Sequence, residues 1–270
     1  MKVTFDTNTL DKAVRPERFT KDPDRSHFDT VHQALAAGTV QGFVCETIVT
    51  LEGIQKDDRS SVFGSTRLDS SSTEEIDDQG NLTIKMDLKS VQPDRKPLHR
   101  ENAARMQATV GLGLRLIKAP RIGGTNIEDP EGTIYVQQTP QQMTDRHELF
   151  CQVIRAIEQR GVGIAVAKSL GQKLSQRAGV AEPWFKGLGR ASDVHEERQV
   201  ARAIAEWADG DNLGAHIAYA NDLFCTGDLG KSAGNSILDA SNRTWLEQTY
   251  GVRFVTLPEL ASMLGDSSSA

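Results

Sequence analysis

Apolar positions come in short runs separated by polar turns, and the first of these, Val3 to Phe5, predicts a β-strand that stops at Asp6-Thr7-Asn8. After the charged stretch RPERFTKDPDRSHFD, the segment TVHQALAAG sets Val31, Leu35 and Ala36 at helical spacing and stops at Gly38. In QGFVCETIVTLEGI a brief strand at Phe43 and Val44 runs into a helix starting near Glu46. Ile48, Leu51 and Glu52 then follow at i, i+3 and i+4, so one helix surface carries core contacts and a carboxylate at its edge.

Residues 55 to 98 break this rhythm. SVFGSTRLD and LTIKMDLKSV alternate like the strands of a hairpin, and the Ser-rich, acidic SSSTEEIDDQGN between them reads as a mobile loop. KPLHRENAARMQATVGLGLRLI reads as a long helix with a basic face, EDPEGTIYVQQTP as a loop with a short strand, and HELFCQVIRAIEQRG as a helix ending on glycine. EPWFKGLG is a turn-rich linker. DVHEERQVARAIAEWADGDNLGAHIAYA reads as two helices broken at Ala208-Asp209-Gly210. DLFCTGD is a short strand, followed by a helical stretch to Tyr250, Gly251, the strand VRFVTL, and a last short helix opened by Pro258. Strands alternating with helices predict an α/β fold: three α/β/α layers around a mostly parallel central sheet, with an inserted β-hairpin plus helices. The expected organisation is a single domain over 1–262, with its core in 1–56 and about 146–262, an insertion over about 57–145, and a frayed tail at 263–270.

Composition narrows the function classes. The chain has 270 residues, 38% hydrophobic and 25% charged, enough for one large domain. No apolar run approaches the roughly 18 residues of a membrane span, and the first residues do not read as a secretory signal, so the expectation is a cytoplasmic chain without a membrane partner. Cys45, Cys151 and Cys225 are widely spaced in apolar contexts and read as reduced core thiols rather than zinc ligands. A net charge of −6 argues against coating nucleic acid by bulk electrostatics. The charge is uneven, however. Val91 to Thr125 carries seven basic residues (Arg95, Lys96, Arg100, Arg105, Arg115, Lys118 and Arg121) against Asp94 and Glu101, whereas Gln55 to Ser90 has five basic and eight acidic residues.

Functional groups of an open parallel sheet gather at the carboxyl ends of its strands. Asp6 follows the first strand, Asp228 follows LFCT, Glu52 lies on the helix after the second strand, and Asp211 opens the expected helix leading into LFCT. Each alone has an ordinary explanation: turn or cap for Asp6, N-cap for Asp211, turn for Asp228, solvated helix residue for Glu52. Brought together, four carboxylates repel by on the order of 4 kcal/mol per pair at about 4 Å, so such a cluster calls for a cation. Oxygen-only ligands favour Mg²⁺ or Mn²⁺, and such an ion activates water against a phosphodiester.

FDTNTL resembles the opening of PIN-domain nucleases, whose first metal-binding aspartate stands in an Asp-Thr-Asn turn. CETIVTLEGI resembles the second motif of that family, with Glu46 at the helix start and Glu52 as the motif glutamate. DNLGAHIAYANDLFCTGD is similar to the third and fourth motifs, and GVRFVTLPEL to the usual final strand and helix start. The resemblance covers roughly residues 1 to 56 and 190 to 262, and the separation between its second and third motifs is much longer than in compact PIN toxins. It implies a Mg²⁺- or Mn²⁺-dependent endoribonuclease with Asp6, Glu52, Asp211 and Asp228 as metal ligands. Asn8 and Thr226 would position them. Asp209 competes with Asp211 for the third position; Asp211 fits the distance to Thr226 better. RNA is the implied substrate, and Arg95, Arg100, Arg105 and Arg115 are the candidates to hold its backbone. Such proteins are often toxins held by an antitoxin, or RNA-processing enzymes, and a homo-oligomer is compatible with either role. The competing reading is a non-catalytic PIN-like scaffold that binds RNA or protein. A DNA-directed nuclease would share the carboxylates, but no helix-hairpin-helix pattern is present. His216, at i+5 from Asp211, reads as a core or interface histidine. GVGIAVAKSLG lacks the third glycine of a dinucleotide fingerprint, and VHEERQ lacks the second histidine of a zinc motif.

Overall fold

The structure is a computed structural model of the chain, describing residues 1–120, 127, 129–230 and 236–267. Arg121 and the last three residues of the tail lie outside the described residues. Along the chain run β1 (Lys2–Phe5), α1 (Thr7–Val14), α2 (Arg25–Ala36), β2 (Gln41–Cys45), α3 (Thr47–Thr50), α4 (Arg59–Ser65), β3 (Arg67–Ile76), β4 (Leu82–Val91), α5 (Arg100–Gly111) and β5 (Arg115–Ile117). They are followed by α6 (Pro140–Gln159), α7 (Ile164–Arg177), α8 (Trp184–Gly187), α9 (Val194–Ala218), β6 (Leu223–Cys225), α10 (Ala240–Tyr250), β7 (Phe254–Val255) and α11 (Leu257–Ser267). The central sheet has the order β5-β2-β1-β6-β7 and every ladder in it is parallel. This is the expected three-layer α/β/α arrangement.

The pleat divides the core. Val3, Phe5, Val44, Leu223 and Cys225 pack with α1, α2 and α11 on one face. Phe224, Cys45 and Ile117 point to the other, where α6 and α9 lie. Strands covered on both faces read as continuous apolar runs, which is why VTF and LFC carry so little polar content. Thr4 is the exception, and its hydroxyl is met at 2.9 Å by Nδ1 of His216. His216 is buried against the edge of the Phe224 ring, and burial pushes its imidazole down to about 4. Burial likewise pushes the thiols of Cys45 and Cys225 up to about 12, so both are inert core groups.

Several local expectations change. The strand β5 sits inside the expected long helix 96–117: α5 stops at Gly111, Gly113 turns at φ 90°, and Arg115 to Ile117 pair with Phe43 to Cys45. The stretch set aside as an insertion therefore supplies the edge strand of the central sheet. SVFGS, read as part of a strand, forms α4, and most of SSSTEEIDDQGN, read as a mobile loop, is β3, paired over ten residues with β4. The expected break at Ala208-Asp209-Gly210 is absent, and α9 runs unbroken for 25 residues. Gly210 serves helix packing: a Cβ on it would lie 3.1 Å from the Cα of Gly163, where the chain enters α7.

Candidate functional site

The site begins where β1 ends. Asp6 leaves the sheet in extended conformation and caps α1, its Oδ1 accepting the Thr7 N–H at 2.7 Å. Oδ2 accepts the hydroxyl of Thr226 at 2.6 Å and the side-chain amide of Asn8. Asn8 also donates to Thr226 Oγ1 at 3.2 Å and accepts the Gly227 N–H at 3.0 Å, while Thr226 Oγ1 accepts the Asp228 N–H at 3.1 Å. Since β6 lies beside β1 with Phe5 opposite Cys225, the Asp-Thr-Asn and Thr-Gly-Asp turns are latched at one sheet edge. Asp228 stands exposed on its rim, one oxygen accepting the Gly230 N–H at 2.8 Å.

Glu52 reaches the same edge from the second strand. The helix expected to carry it is a single turn, α3, and Glu52 lies in the turn that closes it, its N–H bonded to the Thr47 carbonyl at 2.9 Å. The Glu52 carboxylate accepts the Thr7 hydroxyl at 2.7 Å. Thr7 thus ties the first motif to the second. Glu46, at the start of the same turn, faces elsewhere: it accepts the Ala119 N–H at 2.8 Å and the Tyr135 hydroxyl at 3.1 Å, fastening the chain that leaves β5.

The fourth carboxylate is Asp209. Because α9 is continuous, residues 209 and 211 point about 200° apart, and only one of them can face the sheet edge. Asp209 faces it. Burial first, then the charges of Asp6, Glu52, Glu206 and Asp228, hold its carboxyl well above the usual range. Asp211, the expected ligand, is buried on the other side of the helix, against a cavity of about 430 Å³ that it shares with Phe63, Phe150, Trp184 and Trp207. Its backbone carbonyl lies 4.0 Å from Cys45 Sγ. Of the two competing aspartates, the structure brings Asp209, and not Asp211, to Asp6, Glu52 and Asp228. The helical register held the clue, because Asp209 follows Glu206 at i+3 whereas Asp211 does not.

The electrostatics of the cluster are those of crowded carboxylates. Asp6 is 4% exposed. Burial first, then Glu52 and to a smaller degree Asp228, push its carboxyl up to about 7 against the lowering effect of its bonds to Thr226 and Thr7. Glu52 is raised as well, chiefly by burial, with Arg105 and Arg59 opposing. Arg59 is buried, donates to the carbonyls of Ile54 and Ala201, and is one cation that sequence reasoning missed. Glu206 is another missed group. It accepts the N–H groups of Gly163 at 2.9 Å and Ile237 at 2.8 Å, so one buried carboxylate ties α9 to the start of α7 and to the loop before α10.

The four candidate RNA-binding arginines divide. Arg105, half-buried on α5, lies close enough to Glu52 and Asp11 to feel both charges. Arg95 is tied to the Val49 carbonyl and to Gln92. Arg100 is exposed at the start of α5. Arg115 opens β5 and donates to the carbonyls of Gly113 and Leu114, lining a cleft with Gly38 and Gln41 at the amino edge of the sheet. It stands apart from the carboxylates.

Among the described residues no set of three His, Cys, Asp or Glu side chains is arranged to hold a metal ion as the side chains stand. Asp6, Glu52 and Asp228 each accept hydrogen bonds from protein donors. The donor set nevertheless fits a hard divalent cation, because it is oxygen-only and each ionised carboxylate has about four acceptor positions. The chain matches no protein-family model, no curated protein and no solved structure.

Proposed function

We propose that the chain is a Mg²⁺- or Mn²⁺-dependent nuclease that hydrolyses phosphodiester bonds of RNA, with Asp6, Glu52, Asp209 and Asp228 as the metal-holding carboxylates. One observation carries the reading: four acidic side chains from four separate segments gather at the carboxyl edge of a parallel sheet, where, on top of burial, the charges of Glu52 and Asp228 raise Asp6, and those of Asp6, Glu52 and Asp228 raise Asp209. A fold stabilised by packing alone gains nothing from such crowding, and a bound cation offsets it. When bound, the ion supplies an activated water and neutralises charge on the phosphate. Asn8 and Thr226 orient Asp6, Thr7 orients Glu52, and the rigid rod of α9 fixes Asp209. Arg105 at the margin of the cluster is suited to a phosphate oxygen. RNA as the substrate, and a role as toxin or processing enzyme, rest on the resemblance of the Asp-Thr-Asn and Thr-Gly-Asp turns to those of PIN-domain nucleases.

The test is cleavage of a mixed panel of single-stranded RNA and DNA with Mn²⁺, with EDTA, and with the Asp6→Asn and Asp209→Asn variants. RNA cutting that needs the ion and disappears in both variants is the expected result. Cutting that persists in EDTA or in Asp209→Asn overturns the assignment. No cutting of any substrate leaves the scaffold reading in its place.

A further inference from the structure

The hairpin of β3 and β4 is exposed along both ten-residue strands. Its register puts Leu68, Ser70, Ser72, Glu74 and Ile76 opposite Ser90, Leu88, Met86, Ile84 and Leu82, so these ten side chains share one face. Six of the ten are large and apolar, with Leu68 at 54%, Ile76 at 73% and Met86 at 67% exposed. The opposite face carries Arg67, Asp69, Glu75, Lys85, Asp87 and Lys89, with ion pairs between Arg67 and Asp69 and between Lys85 and Glu75. A free two-stranded hairpin is marginally stable in water, and an apolar face of this length is a binding surface rather than a solvated one.

We infer that a second copy of this chain covers that face, the two hairpins packing apolar face to apolar face. Charge argues against the other large occupants. The polar face has three charges of each sign, the tip adds Asp77 and Asp78, and Glu74 sets a further negative charge at the tip end of the apolar face, which together repel both a nucleic-acid backbone and an anionic lipid surface. Shape favours a copy. The bulky row lies on β4 (Leu82, Ile84, Met86, Leu88), while Ser70 and Ser72 leave a shallow row on β3. A two-fold axis running along the strands sets Met86 and Leu88 of each hairpin over Ser72 and Ser70 of the other, and the sheets then pack at the usual spacing of about 10 Å. Six such side chains at roughly 100 Å² each give about 1,200 Å² over two copies, which meets the lower bound for a specific interface.

Sedimentation velocity of the full chain from about 0.5 to 50 μM tests this. Three chains are compared: wild type, Ile84→Glu with Met86→Glu, and Ser72→Trp. All keep the four carboxylates. Because these positions are exposed in the single chain, circular dichroism and the unfolding temperature of the separated variants serve as the folding control. The expected result is a wild-type dimer, association at least 100-fold weaker for the double variant, and weakening by Ser72→Trp, which fills the small row. A wild type that stays monomeric throughout overturns the inference, as does a dimer unaffected by Ile84→Glu with Met86→Glu. A dimer strengthened by Ser72→Trp overturns the row-over-row packing.

Discussion

Replacing Asp6 with asparagine should stabilise the folded chain when no divalent ion is present, and the gain should depend on pH. The carboxyl of Asp6 is held at about 7 in the folded state against an ordinary value of 3.8. Between those values the folded chain binds a proton that the unfolded chain has released, so the stability contributed by Asp6 is full below about 4 and is lost as the pH rises through 7. The span of about 3 units corresponds to about 4 kcal/mol. Asparagine keeps an acceptor for the Thr7 N–H but turns an amide toward the donors of Asn8 and Thr226, and about 1–2 kcal/mol returns through those bonds. The net gain at pH 8 is about 2 kcal/mol, or roughly 4–8 °C in unfolding temperature. His216 titrates in the opposite sense. Its folded value of about 4 lies below the ordinary 6.5, so its contribution is lost as the pH falls through that window. Both chains share this effect, and the difference between them reports Asp6 together with the relief of Asp209, which the Asp6 charge pushes up. The assay is thermal unfolding of the pair in EDTA from pH 5 to 8.5, then at pH 8 with millimolar Mn²⁺. The variant should be the more stable at pH 8 and lose that advantage by pH 5, and Mn²⁺ should raise the wild type alone, by about 2.7 kcal/mol at 100 times its Kd. A difference that does not vary with pH, or an equal response of both chains to Mn²⁺, refutes the reasoning.

Asp209→Asn should lower metal-dependent cleavage at least about 100-fold in single-turnover assays, while Asp211→Asn retains cleavage in whatever fraction folds, because the two side chains face opposite sides of α9. Glu206→Ala strips two buried N–H groups, of Gly163 and Ile237, of their acceptor, and should cost about 2–4 kcal/mol in urea unfolding with an unchanged m value. Arg105→Glu should weaken single-stranded RNA binding and flatten its salt dependence in fluorescence anisotropy, whereas Arg115→Glu, at the amino edge of the sheet, should change neither.

The parts of the fold legible in the sequence were those in which one local pattern admits one structure. VTF and LFC are apolar runs too short for helices and closed by polar turns, and HELFCQVIRAIEQRG carries enough helical repeats to decide itself. The losses occurred where the deciding partner lay elsewhere in the chain. RLI has no period of its own and followed a helical run, so it read as helix until β2 paired with it. SSSTEEI is polar up to its last residue and read as a loop; what makes it a strand is the apolar row on β4, 6 to 18 residues away, which supplies both its hydrogen bonds and most of the apolar side of the shared face.

The glycine in WADGDN misled for the opposite reason. A glycine inside a helix is unfavourable by about 1 kcal/mol, so an Asp-Gly pair reads as a break unless something nearby needs the missing side chain. Gly163 is that neighbour, its Cα only 3.1 Å from where a Cβ on Gly210 would lie, and nothing in the local pattern marks it. The error then propagated into the chemistry. A helix starting at Asp211 makes that residue a cap at the sheet edge, whereas a helix running through it turns Asp211 into the aromatic-lined cavity and hands the edge to Asp209. The choice between two aspartates two residues apart was therefore decided by a backbone contact between two glycines some 47 positions apart in sequence. Gly210→Ala tests the dependence: the added methyl would lie 3.1 Å from Gly163 Cα, so the start of α7 has to give by a few tenths of an ångström, the Glu206 bond to the Gly163 N–H should lengthen with it, and the variant should lose stability despite the better helix propensity of alanine.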